Sequence, residues 1–237
     1  MGNYSLSVFS NSHDLADRAA ARFITQLRDR GGQPCAVALC GGRVAELFFK
    51  ALVRQAKTEA APLADVDFFW ADERCVSPIH PDSNYGQARE KLLDPLGVKR
   101  ERIHRIEGEL PPVEAAERAS ETAQRIARTG PDGNPVFDFI LLSMGEDGHV
   151  ASLFPGAKES ADEAKLPYRF VLGAKPPPER ITLSYSTIRA AVDTWVLVSE
   201  PEKAVVLRQS LRPDGQTPLA TVIQQREHTE VYTAFPV

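Results

Sequence analysis

Short apolar runs alternate along this chain with stretches whose apolar residues recur every three or four positions, the two periods of buried strand and amphipathic helix. Tyr4 to Phe9 reads as a first strand. Asp14 is placed to cap a helix whose apolar positions Leu15, Ala19, Phe23, Ile24 and Leu27 share one face, ended by Gly31 and Gly32. Cys35 to Cys40 is a second strand, broken at Gly41 and Gly42, and Arg43 to about Ala56 a helix carrying Ala45, Leu47, Phe48, Leu52 and Val53 on its apolar side. Val66 to Trp70 is a third strand, closed by the polar cluster Asp72, Glu73, Arg74 and a Pro-rich loop reaching Asn84. Helices are expected from near Tyr85 to Leu93 and over Val113 to Ala127, with a turn at Gly130 to Pro135. Phe139 to Leu142 is then a strand buried on both faces. Arg169 to Leu172, Arg180 to Tyr185 and Asp193 to Ser199 read as strands, Glu202 to Leu211 as the last helix, and Val231 to Phe235 as a closing edge strand. Strands alternating with helices predict an α/β fold, a doubly wound, Rossmann-like and mostly parallel sheet with helices on both faces. No repeat, low-complexity tract or linker divides it, so residues 1–237 are expected to form one domain.

Charge narrows the function. The net charge of −4 leaves no broad basic footprint for a nucleic acid, and the run Lys99, Arg100, Arg102, Arg105 is interrupted by Glu101 and Ile103 and reads as a solvated face. No window approaches the ~20 apolar residues of a membrane span, and the first ten residues lack the basic-then-apolar order of a secretory leader, so the cytoplasm is the expected location. Three cysteines without a C-x-x-C pair support neither a disulfide framework nor a zinc ribbon.

The chemistry concentrates where the buried strand runs into Met144 to Gly156, MGEDGHVASLFPG. Gly145 and Gly148 permit a tight turn and close backbone approach, while Glu146, Asp147 and His149 lie at a strand's carboxyl end, where open α/β sheets bind ligands. A lone histidine after a strand is more often structural than catalytic. A metal is not expected, because no second histidine stands at a ligand spacing and His80, His104 and His228 are dispersed. Neither a nucleotide-binding glycine fingerprint nor a G-x-S-x-G elbow is present. Three loops, Gly41 to Arg43, Asp72 to Arg74 and Gly145 to His149, are expected to converge.

With those loops in view, the chain closely resembles the 6-phosphogluconolactonase family. WADERCVSPIHPDSNYGQA (Trp70 to Ala88) is similar to that family's W-x-D-E-R-x-V-P-x-x-x-x-x-S-N signature, and Met144 to Gly156 to its G-M-G-x-D-G-H-T-A-S-L-F-P-G loop. RITLS (Arg180 to Ser184) and Glu202 with Lys203 are supporting matches. The chain departs at Cys40 to Ala45, where the family has S-G-G-S/T-T-P: the hydroxyls and proline are absent, while the two glycines and the helix N-terminus remain able to hold a phosphate, with Arg43 as an added donor. The resemblance implies hydrolysis of 6-phospho-D-glucono-1,5-lactone to 6-phosphogluconate, with no organic cofactor and no metal. On that reading His149 activates water and returns the proton to the leaving ring oxygen. Arg74 contacts the substrate or its oxyanion; Asp72 and Asp147 orient His149 or bind sugar hydroxyls, the choice between them left open. Arg180 and Lys203 bind the 6-phosphate with the Gly41, Gly42, Arg43 loop, and Gly148 lets the backbone approach. A small sugar-phosphate lactone is the expected partner, no nucleic acid or membrane is, and the chain is expected to act as a monomer. The rivals are a hexosamine-6-phosphate deaminase or isomerase, whose loop reads more like M-D-E-Y, and a non-catalytic sugar-phosphate-binding protein.

Overall fold

The computed structural model describes residues 3–131, 133–157 and 165–237. Six strands form a wholly parallel sheet: β1 (Tyr4–Val8), β2 (Cys35–Leu39), β3 (Val66–Trp70), β7 (Phe139–Ser143), β10 (Asp193–Val198) and β11 (Thr229–Thr233), in the order β1-β11-β10-β7-β2-β3. All five residues of β2 and β3 and four of five in β7 are buried, which is why each reads as a continuous apolar run without alternation. Helices α1 (Ser12–Asp29) and α2 (Arg43–Glu59) pack on each other and on the sheet. Trp195 is fully buried, edge-on to Phe139 at 4.6 Å and beside Tyr232 at 5.2 Å. Between β2 and β7 the strand order reverses, and the loops leaving their carboxyl ends open the crevice in which such sheets bind ligands.

A second, antiparallel sheet joins β4 (Asp72–Arg74), β9 (Glu179–Leu183) and β8 (Tyr168–Leu172) in that order, backed by α5 (Pro112–Ile126). A two-stranded ribbon, β5 (Arg128–Thr129) with β6 (Pro135–Val136), closes the turn before β7; the expected turn there includes position 132, which lies outside the described residues. Beyond β4 a short helix α3 (Asn84–Ala88) leads through a π-helical turn into α4 (Asp94–Leu96).

The sequence expectations need correcting at five places. The C-terminal strand is no edge: β11 lies between β1 and β10, buried throughout, and the edges are β1 and β3. Asp72 to Arg74 is a strand rather than a loop, because β9 supplies a ladder for it from far along the chain. Asn11, not Asp14, caps α1, accepting from the His13 and Asp14 amides. The strand after Arg180 stops at Leu183, since Ser184 turns the chain into α6 (Tyr185–Ala190) by accepting from the Thr187 amide. Beyond α7 (Ala204–Ser210) lies an unforeseen helix α8 (Pro218–Gln225), opened by a Thr217 cap and a proline in its first turn. Among the described residues no helix is long and apolar enough to cross a membrane.

Candidate active site

Past Ser143 the chain folds into a turn closed by backbone bonds from Gly145 N–H to His149 O (2.9 Å) and from Gly148 N–H to Gly145 O (3.1 Å). The imidazole lies directly on Gly145: a Cβ there would sit 2.0 Å from His149 Cε1, so any side chain at this position would displace the ring. Gly148 holds φ +81°, and Ala151, just beyond, holds φ +48°, an unusual value for a residue with a side chain. The Phe154 ring stands 5.0 Å from the imidazole and tilted to it.

His149 is about one-third exposed, and its Nδ1 meets Asp147 Oδ1 at 2.5 Å, the same oxygen that accepts the His149 backbone N–H at 3.1 Å. Of the two carboxylates the sequence left open, Asp147 is therefore the one on the histidine. Partial burial works to raise the Asp147 pKa, but the His149 amide and imidazole outweigh it and hold the carboxyl below its ordinary value. With Nδ1 facing a carboxylate, neutral imidazole carries its proton there and presents an unprotonated Nε2.

Asp72 does something else. It is buried, accepting from Ser152 Oγ at 2.6 Å and from Asn84 Nδ2 at 3.2 Å, while Asn84 Nδ2 also donates to the Asp72 carbonyl at 2.9 Å. Of the two roles expected for Asp72, orienting His149 or binding sugar hydroxyls, the first finds no hydrogen bond to His149 among the described residues: the Asp72 oxygens join β4, the Asn84 turn and the tail of the histidine loop. Asn84 in turn abuts Gly41, where a Cβ would fall 1.9 Å from Asn84 Oδ1. Ser143 Oγ donates to the Gly41 carbonyl at 3.3 Å. These contacts bring the three expected loops together. Buried Glu73, one residue on, accepts from the Arg74, Asn84 and Tyr85 amides and from Ser83 Oγ at 2.7–3.0 Å, holding the start of α3.

Arg74 and Arg180 stand opposite one another in the β4–β9 register. Arg74 Nη1 donates to the Asp82 carbonyl at 2.5 Å, Arg180 Nε to the Pro177 carbonyl at 2.6 Å, and Arg74 Nε is buried with no hydrogen-bond partner. Among the described residues neither makes an ion pair. Burial, followed by the charge of Arg74, depresses the Arg180 pKa. Asp72, Asp82 and Glu73 act on Arg180 in the opposite sense without pairing directly with it, and two guanidiniums side by side outside any ion pair can seat an anion.

Gly42 opens α2 at φ +97° with its N–H donated to Gln87 Oε1 at 3.0 Å. Arg43 and Lys203 converge on Glu200, at 3.3 and 2.9 Å, and Lys203 Nζ also donates to the Met144 carbonyl at 2.7 Å. Burial tends to raise the Glu200 pKa, yet the Lys203 bond and the two positive charges leave it lowered. Arg180 shares no hydrogen bond or ion pair with this group among the described residues; its neighbour is Arg74. Sequence reasoning missed the parts played by Asn84, Ser152 and Glu200, although the first two stand inside the quoted motifs. Burial pushes the Cys40 thiol up to about 12, in keeping with an inert role. Among the described residues no three His, Cys, Asp or Glu side chains are grouped to hold a metal.

Residues 10–232 match the family model described as glucosamine-6-phosphate isomerases/6-phosphogluconolactonase. The chain belongs to that family. Within it, the chain is 35% identical over 230 residues to the 6-phosphogluconolactonase of Streptomyces coelicolor, covering 89% of this chain and 84% of the relative. It is 32% identical to the human 6-phosphogluconolactonase, covering 93% and 86%. Among solved structures, the devB protein superposes with a TM-score of 0.87 at 30% identity, covering 97% and 96% of the two chains. The 6-phosphogluconolactonase of Trypanosoma brucei reaches 0.84 at 25%, covering 98% and 96%. A monomeric glucosamine-6-phosphate deaminase, at 0.80 and 18% identity, shares the fold.

Proposed function

We propose that the chain hydrolyses 6-phospho-D-glucono-1,5-lactone to 6-phosphogluconate, with His149 as general base. The observation that carries this reading is the Asp147–His149 pair at the carboxyl end of β7; the cross-strand Arg74–Arg180 pair, neither of them in an ion pair among the described residues, and the names of the family relatives support the substrate. Nε2 of His149 removes a proton from water as its oxygen bonds to the lactone carbonyl carbon. The carbonyl electrons move to oxygen, and the tetrahedral oxyanion is stabilised by a guanidinium, a role we assign to Arg74. Collapse breaks the bond to the ring oxygen, which takes the proton back from His149 and leaves as the C5 hydroxyl. Asp147 holds the tautomer and offsets the imidazolium charge between the two transfers. A lactone is an activated ester, so one base worth roughly 10²- to 10⁴-fold, with electrostatic help, suffices without a covalent nucleophile.

Arg180 beside Arg74 offers a concentrated positive field to the 6-phosphate, and Lys203 with the start of α2 closes the crevice on the other side. Asp72 acts as a joint between loops. The test is lactone hydrolysis at neutral pH, with substrate generated in place by oxidation of glucose 6-phosphate, comparing the wild type and folded His149→Ala against the spontaneous rate. Fast turnover lost in the variant supports both reaction and base. A wild type no faster than background overturns the reading, and ammonia release from glucosamine 6-phosphate is then the next assay.

A further inference from the structure

The histidine turn is clamped from both sides. On its inner face the imidazole covers Gly145; on its outer face Gly148 is pressed against the start of α8, where a Cβ would lie 2.7 Å from Thr217 Cβ and 2.8 Å from Thr217 Cγ2. The Leu219 backbone N–H, in the first turn of that helix, donates to the Gly148 carbonyl at 3.1 Å. Thr217 is itself held rigidly: Oγ1 accepts from the Ala220 amide at 3.1 Å and meets Ser210 Oγ at 2.7 Å, and Ser210 donates onward to the Val206 carbonyl at 2.8 Å.

We propose that Thr217 is a positioning residue for His149, acting through Gly148; the inference rests on the reading of His149 as the base. Asp147 and His149 are bonded to each other within the turn, so a turn that tilts carries the pair as a unit and moves Nε2 relative to the carbonyl carbon without breaking the pair. The guanidiniums lie on β4 and β9, outside the turn, and do not move with it. Loosening the outer clamp therefore lowers kcat and leaves KM alone, the signature of an interaction expressed in the transition state. Small misplacements of a catalytic group are expensive in rate.

Thr217→Ser separates clamp from fold, since it keeps the hydroxyl that caps α8 and bonds Ser210 and removes only the methyl facing Gly148. Expected are a kcat about three- to tenfold lower, a KM within about twofold and an unchanged Tm. A reciprocal test covers any variant that misfolds. Gly148→Ala drives a methyl into Thr217 and against Val206 Cγ1 at 3.2 Å, on a backbone held at φ +81°, and loses more than about tenfold in kcat; adding Thr217→Gly, which removes the two nearest of these atoms at little capping cost, regains the share of the loss due to Thr217, whereas losses that merely accumulate give a double variant slower than either single one. Wild-type kcat in Thr217→Ser, or no rescue in the double variant, overturns the inference. His149→Ala assayed in parallel keeps the failures apart: if it retains full rate, the general-base reading falls and this inference with it, and if it is inactive while Thr217→Ser matches wild type, only the positioning role falls.

Discussion

The two sides of the crevice handle charge in opposite ways. Around the histidine turn every charge has its counter-charge: His149 meets Asp147, and Lys203 and Arg43 meet Glu200. On the small sheet, Arg74 and Arg180 face each other, each bonded to a backbone carbonyl and neither in an ion pair among the described residues, with Asp72, Asp82 and Glu73 acting on Arg180 from farther off. A compensated pair suits a group that must gain and lose a proton repeatedly, because its partner steadies both states. Two adjacent cations outside any direct ion pair raise the free energy of the empty site and lower it when an anion arrives, so they suit binding. Under the proposed function, proton transfer falls to the parallel sheet and part of the anion binding to the antiparallel one.

The largest expected effect of breaking this division comes from His149→Ala, which removes the proton acceptor itself. A loss of roughly 10²- to 10⁴-fold in kcat is expected, read against spontaneous hydrolysis. Asp147→Asn comes next. The amide keeps the size but offers its Nδ2 or Oδ1 indifferently to Nδ1, so the proton can settle on Nε2 and block it; roughly a 10²-fold fall in kcat with little change in KM follows. The pH sign follows from Asp147. Its carboxyl titrates below its ordinary value, so the bond to His149 contributes stability above the unfolded-state pKa and loses it only as pH falls through the lower folded-state value. Acid titration of the wild type should therefore show this pair surviving below the usual carboxylate range, followed by the His149 ring resonances in NMR, and Asp147→Asn should remove that contribution.

The parallel side was also the legible side. Strands β2, β3 and β7 are apolar runs ended by glycine or a polar cluster, and burial on both faces leaves just that trace in a sequence. The antiparallel side was legible only in part: β8 and β9 read as strands, β4 did not. Asp72, Glu73 and Arg74 contain nothing that favours a strand, and they form one because β9 offers a ladder whose position is a property of the whole fold. Strand order is equally non-local, which is why β11 passed for an edge. Asp147 at two residues from His149 was visible as a candidate partner, while the true work of Asp72 depends on Ser152 and Asn84 reaching it from separate loops. Helix α8 carried a readable signal, Thr217 before Pro218, and is short enough for the signal to be overlooked.

On the small sheet, Arg180→Met tests whether the Arg74–Arg180 repulsion is retained for function. The methionine fills a similar buried volume without charge, so Tm should rise, by roughly 1–3 °C for a chain of this size if the cross-strand repulsion is worth a few tenths of a kcal/mol to 1 kcal/mol, while KM rises about tenfold or more. A variant less stable than wild type with unchanged KM would remove Arg180 from the binding argument and make its hydrogen bonds to the Pro177 and Lys175 carbonyls its purpose.

Lys203→Ala is the smallest and the most discriminating, because Lys203 belongs to both regimes. Its ammonium is mostly buried, spends one bond on the Met144 carbonyl at the root of the histidine turn and pairs with Glu200, and an ammonium has three donors, so one stays available to a phosphate oxygen. If the phosphate bond is its main contribution, KM rises several-fold with kcat nearly intact. If the Met144 bond matters more, kcat falls with KM intact, as for Thr217→Ser, because both variants free the same turn. Removing the lysine also leaves Glu200 facing Arg43 alone, a pair with an exposed partner that holds the carboxylate less firmly, so the Glu200 pKa should climb toward the value that burial favours. Glu200→Gln in the Lys203→Ala background then resolves the ambiguity: it removes that loosely paired, half-buried charge, and any kcat it restores belongs to the electrostatics of the loop, with the residual KM defect belonging to the phosphate.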